Sequence, residues 1–233
     1  MVYGLTTPGS FGKYFLDGAF VDWRETLEQL LSKVSEEDER SAYRNDPGFY
    51  KLVVTQKFVH ETGRVLGDQP PLPPLRDEEC PRIYKTFEKV GDLGSLVKVE
   101  NRLLLIDEGL KQVIETIEPD VHRIWPVQIV QPDGTGHSAC YYGLQINSFM
   151  DSFSPGESDP AAFQGKPGRY RVFQPYKQHY ARLALSAAGH AGKHLWRERS
   201  LRDPEICFSD EFLEVALKAR LDLPKSYYAL KEV

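Results

Sequence analysis

Apolar positions follow two periods along this chain, and the stretch 103–147 shows both. Leu103-Leu104-Leu105-Ile106 is a continuous apolar run of strand length. Asp107 comes next, and its carboxylate can accept from first-turn amides, which predicts a helix N-cap. Leu110, Val113, Ile114 and Ile117 then fall at i, i+3, i+4 and i+7, a single stripe on a helix. Pro119 ends the helix, because proline cannot donate and pushes its predecessor out of the helical region. Residues 124–130 predict a second strand and Pro132-Asp133-Gly134 a turn. Residues 140–146 predict a third strand, with Cys140, Tyr142, Leu144 and Ile146 on one face and Tyr141, Gly143, Gln145 and Asn147 on the other. The strand, helix and hairpin share one apolar side.

The same order returns near the C-terminal end. Ile206-Cys207-Phe208-Ser209-Asp210-Glu211-Phe212 repeats the logic of Leu104-Leu105-Ile106-Asp107-Glu108-Gly109-Leu110. The second stripe, Phe212, Val215, Ala216 and Ala219, lies 102 positions beyond the first. Each helix ends near a proline, Pro119 or Pro224, and leads to another strand, residues 227–233 in the second case. This is either a duplicated packing unit or two similar solutions to one local problem. The expected fold is α+β: a mainly antiparallel sheet packed by helices, with two similar strand-cap-helix-strand units and an N-terminal helical part.

In that N-terminal part, residues 1–19 read as loop or short strands. Asp22 and Glu25 predict a capping box ahead of a helix burying Trp23, Leu27, Leu30, Leu31 and Val34. The acidic run Ser35-Glu36-Glu37-Asp38-Glu39 follows, as a solvated helix end or as a patch that meets a basic partner. Residues 49–60 leave strand and helix open, since Tyr50, Leu52 and Val54 alternate but Phe58 and Val59 do not. The segment 63–81, with Pro70, Pro71, Pro73, Pro74 and Pro81, is irregular. It divides the chain into an N-terminal helical part with a Pro-rich linker, 1–80, and an α+β body, 81–233, unless both form one compact domain. Residues 151–175 are irregular again; 182–186 and 195–199 predict strands around a small-residue turn.

Composition narrows the function classes. The 233 residues are 41% hydrophobic and 27% charged, as in ordinary globular proteins. A net charge of -5 argues against a nucleic-acid binder and suits a basic protein partner. Three scattered cysteines, Cys80, Cys140 and Cys207, imply no disulfide framework, and two of them sit in apolar strand runs. No secretory signal or bilayer-length apolar run is visible, so a cytoplasmic location and no membrane partner are expected.

Candidate chemistry is sparse. His190 and His194 are four apart and near His179, the spacing of a metal-dependent hydrolase, but Gly189 and Gly192 interrupt a helix and the acid of His-Glu-x-x-His is missing. They read more simply as surface-turn histidines, and His60 and His122 show no evident partner. Nucleophile elbows and phosphate-cradling glycine loops are absent. The pairs Asp107-Glu108 and Asp210-Glu211 are caps and first-turn acids. Trp196-Arg197-Glu198-Arg199 reads equally as an edge strand with a buried tryptophan or as an interface hot spot.

Leu105-Ile106-Asp107-Glu108, Trp125-Pro126-Val127, Leu195-Trp196-Arg197-Glu198 and Phe208-Ser209-Asp210-Glu211-Phe212 together resemble a family of bacterial polymorphic-toxin immunity proteins, the type first described from myxobacteria. The resemblance spans residues 93–233. It implies a stand-alone α+β domain that binds and neutralises a secreted toxin encoded beside it, with no catalytic residue and no cofactor. Nucleases are common among such toxins. If the toxin is basic, Glu36, Glu37, Asp38, Glu39, Asp77, Glu78 and Glu79 are candidates to steer it, with Trp196 and Arg197 as anchors. A metal-dependent hydrolase using His179, His190 and His194, or a structural interaction subunit, are the competing readings.

Overall fold

A computed structural model describes residues 1–34, 43, 45–65 and 71–233. Among them are five α-helices and fifteen strands, an α+β fold richer in sheet than in helix. In chain order the strands are β1 (Val2–Leu5), β2 (Gly18–Phe20), β3 (Ile83–Thr86), β4 (Leu96–Lys98), β5 (Leu104–Asp107), β6 (Arg123–Val130), β7 (Tyr141–Gln145) and β8 (Phe149–Met150). Then come β9 (Phe163–Gln164), β10 (Tyr170–Val172), β11 (Ala184–Leu185), β12 (Leu195–Glu198), β13 (Leu201–Asp203), β14 (Ile206–Ser209) and β15 (Tyr227–Glu232). One sheet runs β2-β3-β6-β7-β5-β4, a second β11-β15-β1-β14-β12-β8, and a third, small one β13-β10-β9. Pairing is mainly antiparallel; β3 on β6, β11 on β15, β8 on β12 and β10 on β13 are parallel.

The first sheet is apolar on both faces. Alternation along β5 sends Leu105 into one cluster, with Trp125, Val127 and Tyr141, and sends Leu104 and Ile106 into another, with Leu144 and Ile146. Two covers follow. Over the first cluster lie the helices Trp23–Lys33 and Pro47–Lys57, through Trp23, Leu27, Leu31, Tyr50 and Val54. The open question at 49–60 resolves to helix because Asp46 caps it, accepting from the Gly48 amide at 2.8 Å, and Pro47 stands in the first turn, where no donor is needed. Asp22 departs from expectation. Its φ is 53° and its side chain caps nothing, so the capping box does not form. Because the sheet is covered twice, Tyr141, Gly143 and Gln145 are buried as well as Leu144, while Cys140 is exposed rather than packed.

The second cluster is shared by two helices. Glu108–Ile117 is capped by Asp107, which accepts from the Leu110 amide at 2.8 Å; Asp210–Lys218 is capped by Ser209, which accepts from Phe212 at 3.1 Å. Leu110, Val113 and Ile114 meet Phe212 and Ala216 there, as the stripes predict, but Leu213 is buried with them, Val215 is only partly covered and Ala219, the last position of the predicted stripe, is exposed.

The likeness of the two units extends to the sheets. β7 lies between β5 and β6, and β1 lies between β14 and β15; β4 flanks β5 as β12 flanks β14. Leu104, Leu105, Ile106 and Asp107 face Leu144, Gly143, Tyr142 and Tyr141, whereas Ile206, Cys207, Phe208 and Ser209 face Leu5, Gly4, Tyr3 and Val2. Tyr142-Gly143-Leu144 and Tyr3-Gly4-Leu5 therefore hold equivalent places. In both, a Cβ on the glycine would run into a neighbouring ring, Trp125 or Pro204. The chain repeats one arrangement, and the second copy takes its middle strand from residues 2–5.

Ile114, 2% exposed at the centre of the shared cluster, tests this packing. Ile114→Asp puts an unpaired charge there and is expected to abolish the cooperative thermal transition, whereas Ile114→Ala costs about 2–5 kcal/mol. A wild-type melting temperature for the Asp variant would contradict burial of this face.

Candidate functional site

The acidic triplet Asp77-Glu78-Glu79 forms a 3-10 turn beside the helix Trp23–Lys33, and its three carboxylates have separate fates. Glu79 is fully buried. Its Oε1 accepts from the Tyr50 hydroxyl at 2.7 Å, Lys57 Nζ at 2.8 Å and Arg76 Nε at 3.2 Å. Its Oε2 accepts from Lys57 Nζ and from the Arg76 amide, both at 2.8 Å. The Glu79 carbonyl accepts from Trp23 Nε1 at 2.8 Å. Burial opposes ionisation of this carboxyl, but the Lys57 charge and the converging hydrogen bonds outweigh it and hold the group below its ordinary range. Glu79 thus clamps the turn onto both N-terminal helices.

That clamp leaves Asp77 and Glu78 pointing outward. Asp77 is 79% exposed at its side chain and pairs with Arg123, while Glu78 is exposed with no ion-pair partner among the described residues. Beside them runs an open groove of about 530 Å³, whose wall includes Asp22, Leu30, Lys33 and Ile83. Glu36, Glu37, Asp38 and Glu39 lie outside the described residues. Of the acidic candidates, the structure brings Asp77 and Glu78 together on the surface and turns Glu79 inward. Tyr50, Lys57 and Arg76, which make that arrangement rigid, carry no sequence signal, because nothing in their spacing announces a common partner.

Trp196 and Arg197 occupy opposite faces of β12. Trp196 is fully buried; its Nε1 donates to Glu198 at 2.9 Å and its ring stacks on His190. Arg197 is 6% exposed, with Nη1 donating to the Glu205 carbonyl at 3.1 Å. Neither presents the exposed side chain expected of an anchor; Trp196 is buried, but β12 is paired on both sides, by β14 and β8, and is not an edge strand.

The histidines have separate engagements. His190, expected on a surface turn, is buried under Trp196; His194 Nδ1 lies 3.0 Å from Ser209 Oγ; His179 Nδ1 lies 3.1 Å from the Gln174 carbonyl. No group of three or more His, Cys, Asp or Glu among the described residues is placed to hold a metal ion. His122 has partners after all. Its Nε2 lies 2.8 Å from Glu118 Oε2 and its Nδ1 accepts from the Asn147 amide at 3.2 Å. Glu118 also accepts from the amides of His194 and Leu195, tying the end of the first unit's helix to β12.

The buried clamp predicts a pH signature. Because the folded-state pKa of Glu79 is depressed, its stabilisation is present above the ordinary value of 4.5 and is lost as pH falls below it. Glu79→Gln removes the buried carboxylate charge opposite the Lys57 ammonium, 2% exposed, and should cost about 3–5 kcal/mol at neutral pH. Urea midpoints of wild type and variant should converge as the solution is acidified; a gap independent of pH would contradict the clamp.

Among curated proteins none matches the chain. A family model, described as the immunity protein family Imm11, matches residues 38–229, well over half of the chain. The match reaches back to residue 38, so it takes in the Pro47–Lys57 helix and the Glu79 turn as well as both sheet units, beyond the 93–233 of the sequence resemblance. The chain belongs to the immunity protein family Imm11.

Proposed function

We propose that this protein neutralises a cognate toxin by binding it as a cytoplasmic inhibitor, with no chemistry of its own, and that the toxin is a nuclease. Family membership is the observation that carries this reading. The acidic surface supports the toxin class. A nuclease needs a basic surface to displace counterions from nucleic acid, and the net charge of -5 with Asp77 and Glu78 held outward is complementary to it. Because Glu79 fixes the turn, these two charges reach the partner at little conformational cost. Trp196 is enclosed in the core, so the apolar contact falls instead to the groove, where Ile83 is 36% exposed.

Co-expression with the toxin encoded alongside should restore growth, and the two proteins should co-purify. Reversing Asp77 and Glu78 together to lysine should slow association several-fold at low salt, with little effect at high salt, and lower the melting temperature by no more than the few degrees that loss of the Asp77–Arg123 surface pair accounts for. An intact protein that neither binds nor protects against that toxin would remove the function. A charge-reversed variant with unchanged association rate would remove only the steering face.

A further inference from the structure

A second recess has a chemistry at odds with the acidic chain around it. Its volume is about 470 Å³, and it opens where the end of the Pro47–Lys57 helix meets β12 and β13. Six arginines line it: Arg64, Arg102, Arg169, Arg197, Arg199 and Arg202. Two are neutralised. Arg102 pairs with Glu205 at 3.1 Å, and Arg199 grips Glu61 through two 2.6 Å bonds and Asp151 at 2.9 Å. Glu198 offers nothing to the recess, since its oxygens already accept from Ser152, Phe153 and Trp196. Among the described residues no carboxylate forms an ion pair with Arg64, Arg169, Arg197 or Arg202.

Arg197 is the decisive member. Alternation along β12 turns Trp196 and Glu198 into the core behind the sheet and Arg197 into this recess, where it is more than nine-tenths buried. Among the described residues its Nε has no hydrogen-bond partner, and its only side-chain bond is to the Glu205 backbone carbonyl. The Glu205 carboxylate acts on this guanidinium only through space and is itself in contact with Arg102, so Arg197 is buried with no carboxylate in ion-pair contact, a costly arrangement that an anion in the recess would relieve. Arg102 is presented to the same space by a backbone in which Asn101 and Arg102 both adopt positive φ, 58° and 61°. The field is strong enough to register on a neighbour: burial, then Arg64, Arg102, Arg197 and Arg202, hold the His60 imidazole down to about 4.

We propose that this recess binds a phosphoryl group carried by a small molecule, with Arg197 gripping it from inside and Arg64, Arg169 and Arg202 closing on it from the rim. One carboxylate would offset a single guanidinium, whereas a phosphate monoester brings a charge of about -1.5 to -2 and several acceptor oxygens matched to the guanidinium fork. The volume exceeds that of a bare ion and falls among small-molecule sites, which span about 300–1,000 Å³. Val59, Phe149 and Leu201 supply apolar wall for an organic part. This site is separate from the groove beside Asp77 and Glu78, and its occupant is not the toxin.

Calorimetric titration of the full chain at low ionic strength with inorganic phosphate, pyrophosphate and adenosine monophosphate tests the proposal. At least one of the three should bind saturably with unit stoichiometry. Equal affinity for the inorganic probes and the nucleotide points to a free phosphate species; tenfold tighter nucleotide binding points to an organic phosphate. Arg64→Ala combined with Arg202→Ala removes rim charges without touching the core and should weaken the binding tenfold or more at unchanged melting temperature. Arg197→Met should abolish it. In the bound state the His60 ring should titrate at higher pH by NMR, because the anion offsets the arginines around it. No binding of any probe, or equal binding by the double variant, overturns the proposal. Loss of toxin protection in the double variant, with no phosphate bound by wild type, also overturns it and assigns the recess to a protein partner.

Discussion

Leu105 points one way from β5 while Leu104 and Ile106 point the other, and the rest of the molecule is arranged to cover both directions. A buried leucine or isoleucine contributes about 1.5–3 kcal/mol only if water is kept from it. A sheet with large apolar side chains on both faces therefore needs two layers. The N-terminal helices supply one, through Trp23, Leu27 and Tyr50. The other is supplied by the two capped helices and the second sheet, through Phe208, Phe212 and Ile206. Each layer brings its own polar fastening: Glu79 holds the first, and Glu118 links the second to β12.

What could be read from the sequence was what depends on neighbours a few residues away. The stripe Leu110, Val113, Ile114, Ile117 and the caps Asp107 and Ser209 stand as their spacing indicates, because a helix stripe and an N-cap are local facts. The two-copy order was visible for the same reason, in the matched spacing of residues 104–110 and 206–212. The likeness of Tyr3-Gly4-Leu5 to Tyr142-Gly143-Leu144 was also present in the letters, but only the strand order gives three residues a meaning. Asp22 misled because its capping-box spacing is right while its backbone is left-handed.

Site residues were harder to judge, since exposure is a property of the whole fold. Asp77, Glu78 and Glu79 look alike in sequence; the fold spends one as a buried counter-ion and leaves two outside. Trp196-Arg197-Glu198-Arg199 looked like a single mixed patch, yet alternation divides it between an enclosed tryptophan-glutamate pair and a recess with two arginines. Arg64, Arg102 and Arg202 are scattered along the chain, and no spacing rule links them before the sheets assemble. The outcome is a protein with two exposed acids on an outer turn and a concavity in which six arginines outnumber the acids paired to them.

The placement of β1 bears on how the chain reaches this state. Val2 pairs with Leu230 and with Ser209, contacts that span more than two hundred residues of sequence. Closing so long a loop is entropically expensive before any contact rewards it, so topology of this kind slows folding. Residues 2–5 are synthesised some two hundred residues ahead of β14 and β15, so the early strand waits for both of its neighbours. The first sheet has no such delay, since β5, β6 and β7 are close in sequence. Assembly is therefore ordered: the first unit forms as a template, and the second is finished only when its final strand arrives. Until then β1 has neither of its neighbours and both its edges are open, the stage at which the chain is most exposed to pairing with another copy of itself.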